Sequence, residues 1–410
     1  MDREHVQSRT VASLMTSNAF GYAGFVAVWA VVGLLASEIT GSDLLAGVPA
    51  AVGTLGTAAA ATPLALRSVR RGRRRGIAVG YLIGVAGAVL GVLAGQLQLF
   101  WLLVVAMTVF GMGHASNLQA RFAAADLAEE EHRARAIAMV VWVGTVGAVL
   151  GPPAALWVNR LGTARGLGEW VSPLVLGGLG FIIAAAVVAR FLTPDPLEVA
   201  GGVDPDTPFE NPLHGVRRSW SVIWPNPMAR LAIAAMAVSQ MAMVAVMTMT
   251  PLYMKDHGQA ELSTLVISFH VLGMFGMSPL VGRLADRIGR VRTIGLGATV
   301  LGVGTLAAVV AGYVPALVFV GLFLLGLGWS FALISGSALL TESVPFGERV
   351  GAQGLADVAM SVLGALAAFS SGFVKETLGF HWLANFATVA AMATLVAAAS
   401  VARRQPKAAV

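Results

Sequence analysis

Chemistry in this sequence is confined to a few side chains set inside long apolar stretches. Asp357 is the one carboxylate well inside such a stretch. A carboxyl group at that depth can hold a proton in a closed cavity and release it when water gains access. His114 and His270 also stand in apolar segments, where an imidazole either carries a proton or makes a neutral hydrogen bond. Asn18, Tyr22, Phe25 and Trp29 recur at helical spacing, as do Met107, His114, Asn117 and Arg121. Met236, Gln240, Met243 and Met247 form a third stripe, and Asp357, Ser361, Gly364 and Ser371 a fourth. Stripes of this kind either pack helices together or line the path of a small molecule, and thioethers suit a pocket that accepts varied apolar shapes. The chain has no cysteine, hence no thiolate nucleophile, disulfide or thiolate metal site. It also lacks a His/Asp/Glu metal cluster, a nucleophile elbow and a phosphate-cradling glycine loop. No metal, no cofactor and no enzyme activity is expected.

The elements that must position these residues are long helices. Of 410 residues, 57% are hydrophobic and 12% charged, about half the charged share of a soluble domain. A soluble enzyme is excluded. Twelve apolar segments, each long enough to cross a bilayer, lie near 11–36, 44–66, 76–95, 99–122, 135–157, 172–191, 229–252, 261–282, 293–312, 315–340, 350–374 and 380–401. The first is too long for a signal-peptide core and is expected to remain in the protein. Residues 193–228, rich in Pro, Asp and Glu, cannot span and read as a flexible linker. The expected fold is an all-α membrane protein of twelve transmembrane helices in two pseudo-symmetric six-helix bundles, 1–192 and 229–410.

A net charge of +6 and a pI near 10.3 would point to nucleic acid in a soluble chain. Here basic residues gathering on the cytoplasmic side explain them, and no nucleic-acid partner is expected. With the N-terminus inside, 23 of the 27 Lys and Arg residues fall in inner loops, six of them between Arg67 and Arg75. Arg160, Arg165, Lys255 and Lys375 are left outside. Both termini are therefore expected in the cytoplasm, with the chain in a bacterial inner (plasma) membrane.

The two halves repeat. Val109-Phe-Gly-Met-Gly-His114 matches Leu324-Leu-Gly-Leu-Gly-Trp329, and the basic turn around Gly72 matches the one around Gly289, at offsets of 215 and 217 residues. Duplicated halves place a small-molecule cavity at their interface. Between spans eight and nine, Gly282-Arg-Leu-Ala-Asp286-Arg287-Ile-Gly289-Arg290 resembles the G-x-x-x-D-R-x-G-R signature of the major facilitator superfamily. In that family the aspartate helps to hold the cytoplasmic gate shut, so Asp286 is expected to face the start of span five. In the first-half loop Val69 stands where the motif wants Asp, and Ala65 where it wants Gly.

In span five, Gly147-Ala-Val-Leu-Gly151-Pro152 resembles the core of the signature in drug:proton antiporters, although Ala138 and Ala155-Leu156 replace flanking glycines. Ordinary small-residue packing is the alternative. Span four has Met107 where the family often carries an arginine tied to proton coupling. The resemblance implies a monomeric transporter whose partners are a small-molecule substrate, protons and the lipid bilayer. Export by proton antiport is the reading preferred; import by proton symport is the alternative, and a membrane-embedded sensor or enzyme a third. Asn18, Tyr22, Asn117, Gln240, Met243 and Met247 are the expected substrate contacts, because spans one, four and seven line the cavity in this family. Asp357 is the expected proton-coupling site, with His270 or His114 as secondary carriers.

A single cysteine tests the orientation cleanly in this cysteine-free chain. Asn211→Cys should stay unlabelled by an impermeant thiol reagent in intact cells and react once the cells are lysed; labelling of intact cells would invert the assignment.

Overall fold

The computed structural model describes residues 3–41, 45–206, 212–256, 258, 262–311 and 314–404; Asn211 lies outside them. All regular structure among the described residues is helical. In an apolar medium the backbone must satisfy its own N–H and C=O groups, and a helix does so within one segment. Among the described residues, twelve helical stretches are long and apolar enough to cross a membrane, and each overlaps one expected from the sequence.

The chain begins with α1 (Arg3–Trp29) and α2 (Val32–Thr40), which together make the first stretch. Then come α3 (Val48–Arg71), α4 (Arg73–Gln96) and α5 (Phe100–Ala123). The fifth stretch is interrupted at Val143, between α6 (Arg133–Trp142) and α7 (Gly144–Thr163). After α8 (Ser172–Phe191), the linker is not wholly extended: it forms α9 (Pro196–Val199) and α10 (Pro212–Ile223). Asp195 caps α9 by accepting from the Leu197 and Glu198 amides, at 3.0 and 3.4 Å. Next are α11 (Pro227–Asp256), α12 (Ser263–Val271) and α13 (Ser278–Ile288), with a π-helical turn over Leu272–Gly276 between the last two. The chain continues with α14 (Arg290–Val310), α15 (Pro315–Ser343), α16 (Arg349–Thr377) and α17 (Phe380–Arg404).

By packing, the chain divides into two compact units. The first comprises Met1–Ala128, Val143–Arg217 and Gln353–Val358; the second comprises Glu129–Trp142, Arg218–Ala352 and Ala359–Val410. Thus α6 belongs to the second unit, and a short piece of α16 to the first.

Backbone contact between helices organises the first unit. A Cβ on Gly111 would run into the Gly53 carbonyl, and one on Gly56 into the Thr108 carbonyl, so α3 and α5 meet with no side chain between them. Thr57 Oγ1 spans the same contact, donating to the Gly111 carbonyl at 2.8 Å. Close approach is how helices attract in lipid, where the hydrophobic effect between them is absent. Beside this contact Phe110 and Phe181 pack with ring centroids 4.9 Å apart, and Tyr81 lies 5.6 Å from Phe181.

Gly111→Ala should therefore force α3 and α5 apart, costing about 1–3 kcal/mol as overpacking does. A Cβ on Gly372 would meet nothing within 4 Å, and Gly372→Ala should be neutral or gain about 0.5–1 kcal/mol of helix propensity. Unfolding midpoints of the two purified variants make the comparison; equal midpoints would remove the packing argument.

Candidate functional site

The signature between α13 and α14 builds a compact charged lock in the second unit. Gly282 lets α13 approach α6 closely: a Cβ there would lie 2.5 Å from the Ala138 Cβ and 2.9 Å from the Ala134 carbonyl. One turn on, Asp286 reaches the start of α6 and accepts from the Ala134 and Arg135 amides at 3.1 and 2.9 Å. A carboxylate at a helix N-terminus satisfies orphan donors and meets the positive end of the helix dipole. Gly289 turns the chain with φ +91°, a conformation few other residues adopt. That turn places Arg290, which is 8% exposed, among Asp286 (3.0 Å), Glu342 (3.0 Å) and the Glu130 carbonyl. Arg133 of α6 joins the same Glu342 at 3.4 Å. Arg287 is exposed on α13. An open cavity of about 710 Å³ lies against this network, lined by Glu130, Glu131, Asp286, Arg290 and Glu342.

The matching turn in the first unit keeps part of this arrangement. Gly72 has φ +85°, and the next residue, Arg73, is fully buried. Its Nε and Nη2 donate to Asp126 at 2.8 and 3.1 Å, and Nη2 also donates to Gln353 Oε1 at 2.6 Å. Arg73 therefore does not belong with the solvated basic loop in which its sequence neighbours place it. Asp195 receives the Arg73 and Arg74 amides at 3.2 and 2.7 Å, on top of capping α9. Composition and hydropathy mark neither Arg73, Asp126 nor Asp195. The offset of the repeat is the signal that could have found them: 217 residues carry Arg73 onto Arg290, and 216 carry Asp126 onto Glu342.

Asp357 is fully buried, as expected for a carboxylate inside a span, but it is not alone. Its Oδ1 accepts from Arg121 Nη2 at 2.5 Å. This corrects the picture of an isolated acid, because Arg121 closes the α5 stripe from inside the protein and not from a loop; it is 2% exposed. Arg121 also donates to the Leu118 carbonyl at 2.7 Å and lies 4.4 Å over the Phe122 ring. Asp357 Oδ2 has no hydrogen-bond partner. Both residues lie in the first unit, since α16 contributes residues 353–358 to it.

Above this pair the stripes of α1 and α5 meet. Tyr81 Oη donates to Asn117 Oδ1 at 2.8 Å, and Asn117 Nδ2 faces His114 Nδ1 at 3.0 Å. An amide nitrogen can only donate, so Nδ1 accepts and the imidazole carries its hydrogen on Nε2. The His114 ring stacks on Phe25 at 3.7 Å and takes Tyr22 edge-on at 5.3 Å, while Trp29 stacks on Phe25 from 4.7 Å. Tyr22, Phe25, Trp29 and His114 are half-buried, whereas Asn18 and Asn117 are each 2% exposed. The first unit thus gathers Tyr22, His114 and Asn117 into one polar and aromatic group.

In the second unit Gln240 Oε1 accepts from Trp329 Nε1 at 2.6 Å, and Phe275 meets Trp329 edge-on at 5.6 Å. Gly364 of α16 lies against Gln240. Met243 and Met236 are buried, the latter accepting from Ser337 Oγ at 3.4 Å, so only Gln240 and Met247 keep partial exposure along that stripe. Both methionines are enclosed within the second unit. His270 is fully buried against α15; its Nδ1 donates to the Leu322 carbonyl at 2.8 Å and Nε2 has no partner. It stands apart from Gln240 and Trp329 in this hydrogen-bonding scheme and ties α12 to α15 just before the π-helical turn.

The span-five glycines have a packing role. A Cβ on Gly147 would lie 2.7 Å from the Tyr22 carbonyl carbon, and one on Gly151 3.1 Å from the Ala27 nitrogen. With Pro152, which cannot donate within α7, they seat α7 against the backbone of α1 behind Tyr22.

Two helical units, paired charges at repeated turns and polar groups buried in the spans define a multi-pass membrane transporter fold. The family model described as Major Facilitator Superfamily matches residues 14–269 and again 257–410, and the chain belongs to that superfamily. YddS, an MFS-type transporter of Bacillus subtilis, is 36% identical over 376 residues, covering 91% of this chain and 86% of its own. RfnT, a riboflavin transporter of Brucella anthropi, is 29% identical over 405 residues, 97% of this chain and 96% of its own. Among solved structures, a bacterial homologue of the iron transporter ferroportin in an outward-facing state has a TM-score of 0.75 at 15% identity, over 96% of this chain and 100% of that one. The proton:xylose symporter XylE has a TM-score of 0.75 at 13% identity, over 99% of this chain and 97% of that one. At these identities the structures speak for the fold alone.

The lock around Asp286 yields a direct expectation. Asp286→Ala removes the cap of α6, worth about 1 kcal/mol, and one partner of Arg290. Thr341, 1% exposed and next to Glu342, offers a reporter. Thr341→Cys should be alkylated about fivefold faster in the Asp286→Ala background; an unchanged rate would mean that Asp286 does not hold α6 in place.

Proposed function

We propose that this transporter exports a small, at least partly apolar molecule in exchange for protons, by alternating access. The observation that carries the reading is the buried Arg121–Asp357 pair. Among the described residues, the other well-shielded carboxylates lie outside the spans' interior: Asp195 in the linker and Asp126, whose side chain is 6% exposed, just beyond the end of α5. A carboxylate so deeply placed is ionic only while a cation balances it. Separation from Arg121 leaves Asp357 to take up a proton, and re-pairing expels it. Arginine cannot serve as the exchanging group, because it does not release its proton.

Several features support the rest of this reading. The faces holding Asn18, Tyr22, Asn117, Gln240, Met243 and Met247 form the substrate path, and the six-helix bundles before and after 193–228 are the moving bodies. The half-buried rings of Tyr22, Phe25 and His114 offer π faces and edges to a flat, partly apolar molecule. The relative RfnT is named a riboflavin transporter, and a flavin ring has that shape. The Gly147-Gly151-Pro152 resemblance to drug:proton antiporters favours export. His114 and His270 are secondary proton carriers at most, since each ring already makes a hydrogen bond. The chain works in a plasma membrane with both termini cytoplasmic, and it acts as a monomer. Uptake by proton symport would use the same Asp357 with the opposite order of binding.

Transport by the purified chain in proteoliposomes with an imposed pH gradient tests this reading. A riboflavin-like probe should accumulate on the acidic side under antiport; accumulation along the proton flow would establish symport instead. Asp357→Asn, which keeps the shape of the protonated acid, should abolish gradient-driven accumulation while exchange of probe across the membrane persists. Wild-type accumulation and pH dependence in Asp357→Asn would leave Asp357 as a packing residue.

A further inference from the structure

Helix α10 and the turn that ends it present two large aromatic side chains outward, while the neighbouring stripe of the helix is packed away. Ser219 and Ile223 are buried, at 4% and 1% exposure, whereas Trp220 and Trp224 are 50% and 56% exposed. The two indoles stack on each other with centroids 5.3 Å apart, and the Arg230 guanidinium lies 5.4 Å from the Trp224 centroid. The buried stripe is anchored: a Cβ on Gly351 would lie 2.8 Å from Ser219 Oγ, and Arg218 binds Glu348 at 2.5 Å.

Position along the chain decides what meets the exposed stripe. The span Pro227–Thr250 begins directly after Trp224, through a turn in which Asn226 accepts from the Met228 and Ala229 amides at 3.0 and 3.2 Å. Asn226 also donates to the Ser343 carbonyl at 2.6 Å, which fixes the turn to the end of α15. Trp224 therefore stands where a membrane span meets water, and Arg230 lies one turn inside. Indoles favour that zone because the ring is apolar and its N–H is polar. The charged groups nearby are mainly cationic: Arg217, Arg230 and Arg349, the last lying 5.2 Å over the Phe346 ring, which is 39% exposed. Glu348, which lies beside the helix, is matched by Arg218.

We propose that the Trp220–Trp224 stripe at the end of α10, together with Arg230, is a docking site for an anionic phospholipid of the leaflet on the arginine-rich side. The indoles sit at the glycerol and carbonyl level, and Arg230, whose guanidinium reaches back over the Trp224 ring, meets the headgroup phosphate in a charge-assisted hydrogen bond. Because α10 is tied to the turn before α16, lipid occupancy also bears on the helix that carries Asp357. That last link rests on the role proposed for Asp357; the lipid site itself does not.

The test uses the full chain in phosphatidylcholine vesicles with or without phosphatidylglycerol, each brominated near the headgroup to quench tryptophan. Wild type should lose a quenchable fraction of fluorescence that Trp220→Phe/Trp224→Phe lacks, more strongly with the phosphatidylglycerol quencher. Arg230→Gln should lower that preference about fivefold, the worth of one interfacial cation. Equal quenching in wild type and the double variant would overturn the site. A signal indifferent to headgroup and to Arg230→Gln would overturn the anionic assignment. Tryptophans shielded from both lipids and from aqueous iodide would place another protein or a second copy on this stripe, and that too would overturn it.

Discussion

A charge without water must find its counter-charge inside the chain, and the ends of these helices are arranged around that constraint. Arg73 and Arg290 each follow a glycine of positive φ, and each meets an acid at or just beyond the end of a long helix, Asp126 and Glu342. The turns between α3 and α4 and between α13 and α14 are one residue long. The arginine just after each glycine is buried, Arg73 at 0% and Arg290 at 8% exposure. Breaking such a pair by removing one partner leaves a buried charge, which costs about 3–5 kcal/mol. The paired turns consequently hold their helices in a single arrangement.

The two copies of this device differ in what the arginine does with its remaining donors. Arg290 turns them to Asp286 and the backbone carbonyls of Ala285 and Glu130, so the lock in the second unit reaches the start of α6. Arg73 has Val69 where an aspartate would stand, and gives its donor to the neutral Gln353 of α16 instead. A charge-assisted bond to an amide is weaker than a carboxylate bridging a guanidinium and two amides. Asp195 takes over the remaining task, receiving the amides at the start of α4 from the linker side. The repeated geometry thus carries a strong, acid-based lock in one unit and a softer one in the other.

How much of this was legible in the sequence depended on whether a residue acts through its own segment or through a distant partner. The twelve spans could be read because apolar length is a property of one segment. The breaks at Ala30–Val31 and Val143 and the π-helical turn at Leu272–Gly276 could not, since they leave hydropathy unchanged. Asp286 was placed at the start of span five through a signature, and the cap on Ala134 and Arg135 has that geometry. Asp357 was found by its depth, but its partner was hidden. Arg121 lies at the end of α5, where a basic residue reads as a loop charge, and the two are 236 positions apart. Arg73 was masked by its five arginine neighbours. Met236 and Met243 have the spacing of a pocket stripe and are buried, and periodicity could not show that, because it selects a face and does not say what covers it.

The Arg121–Asp357 pair differs in kind from the two paired turns. Arg73 and Arg290 each satisfy several acceptors, so neither depends on a single contact. Asp357 is held through Oδ1, while Oδ2 has no hydrogen-bond partner. A buried carboxylate with half its acceptor capacity unmet repays little of its desolvation, and a pair in that condition adds little net stability. Evolution toward a rigid core would fill Oδ2 or replace both charges with apolar side chains of similar volume. A group that must leave its partner in every cycle has the opposite requirement: the paired state must be attainable and also escapable at modest cost. Weak satisfaction of Asp357 fits the exchanging role proposed for it, whereas Arg73 and Arg290 are each satisfied by several acceptors.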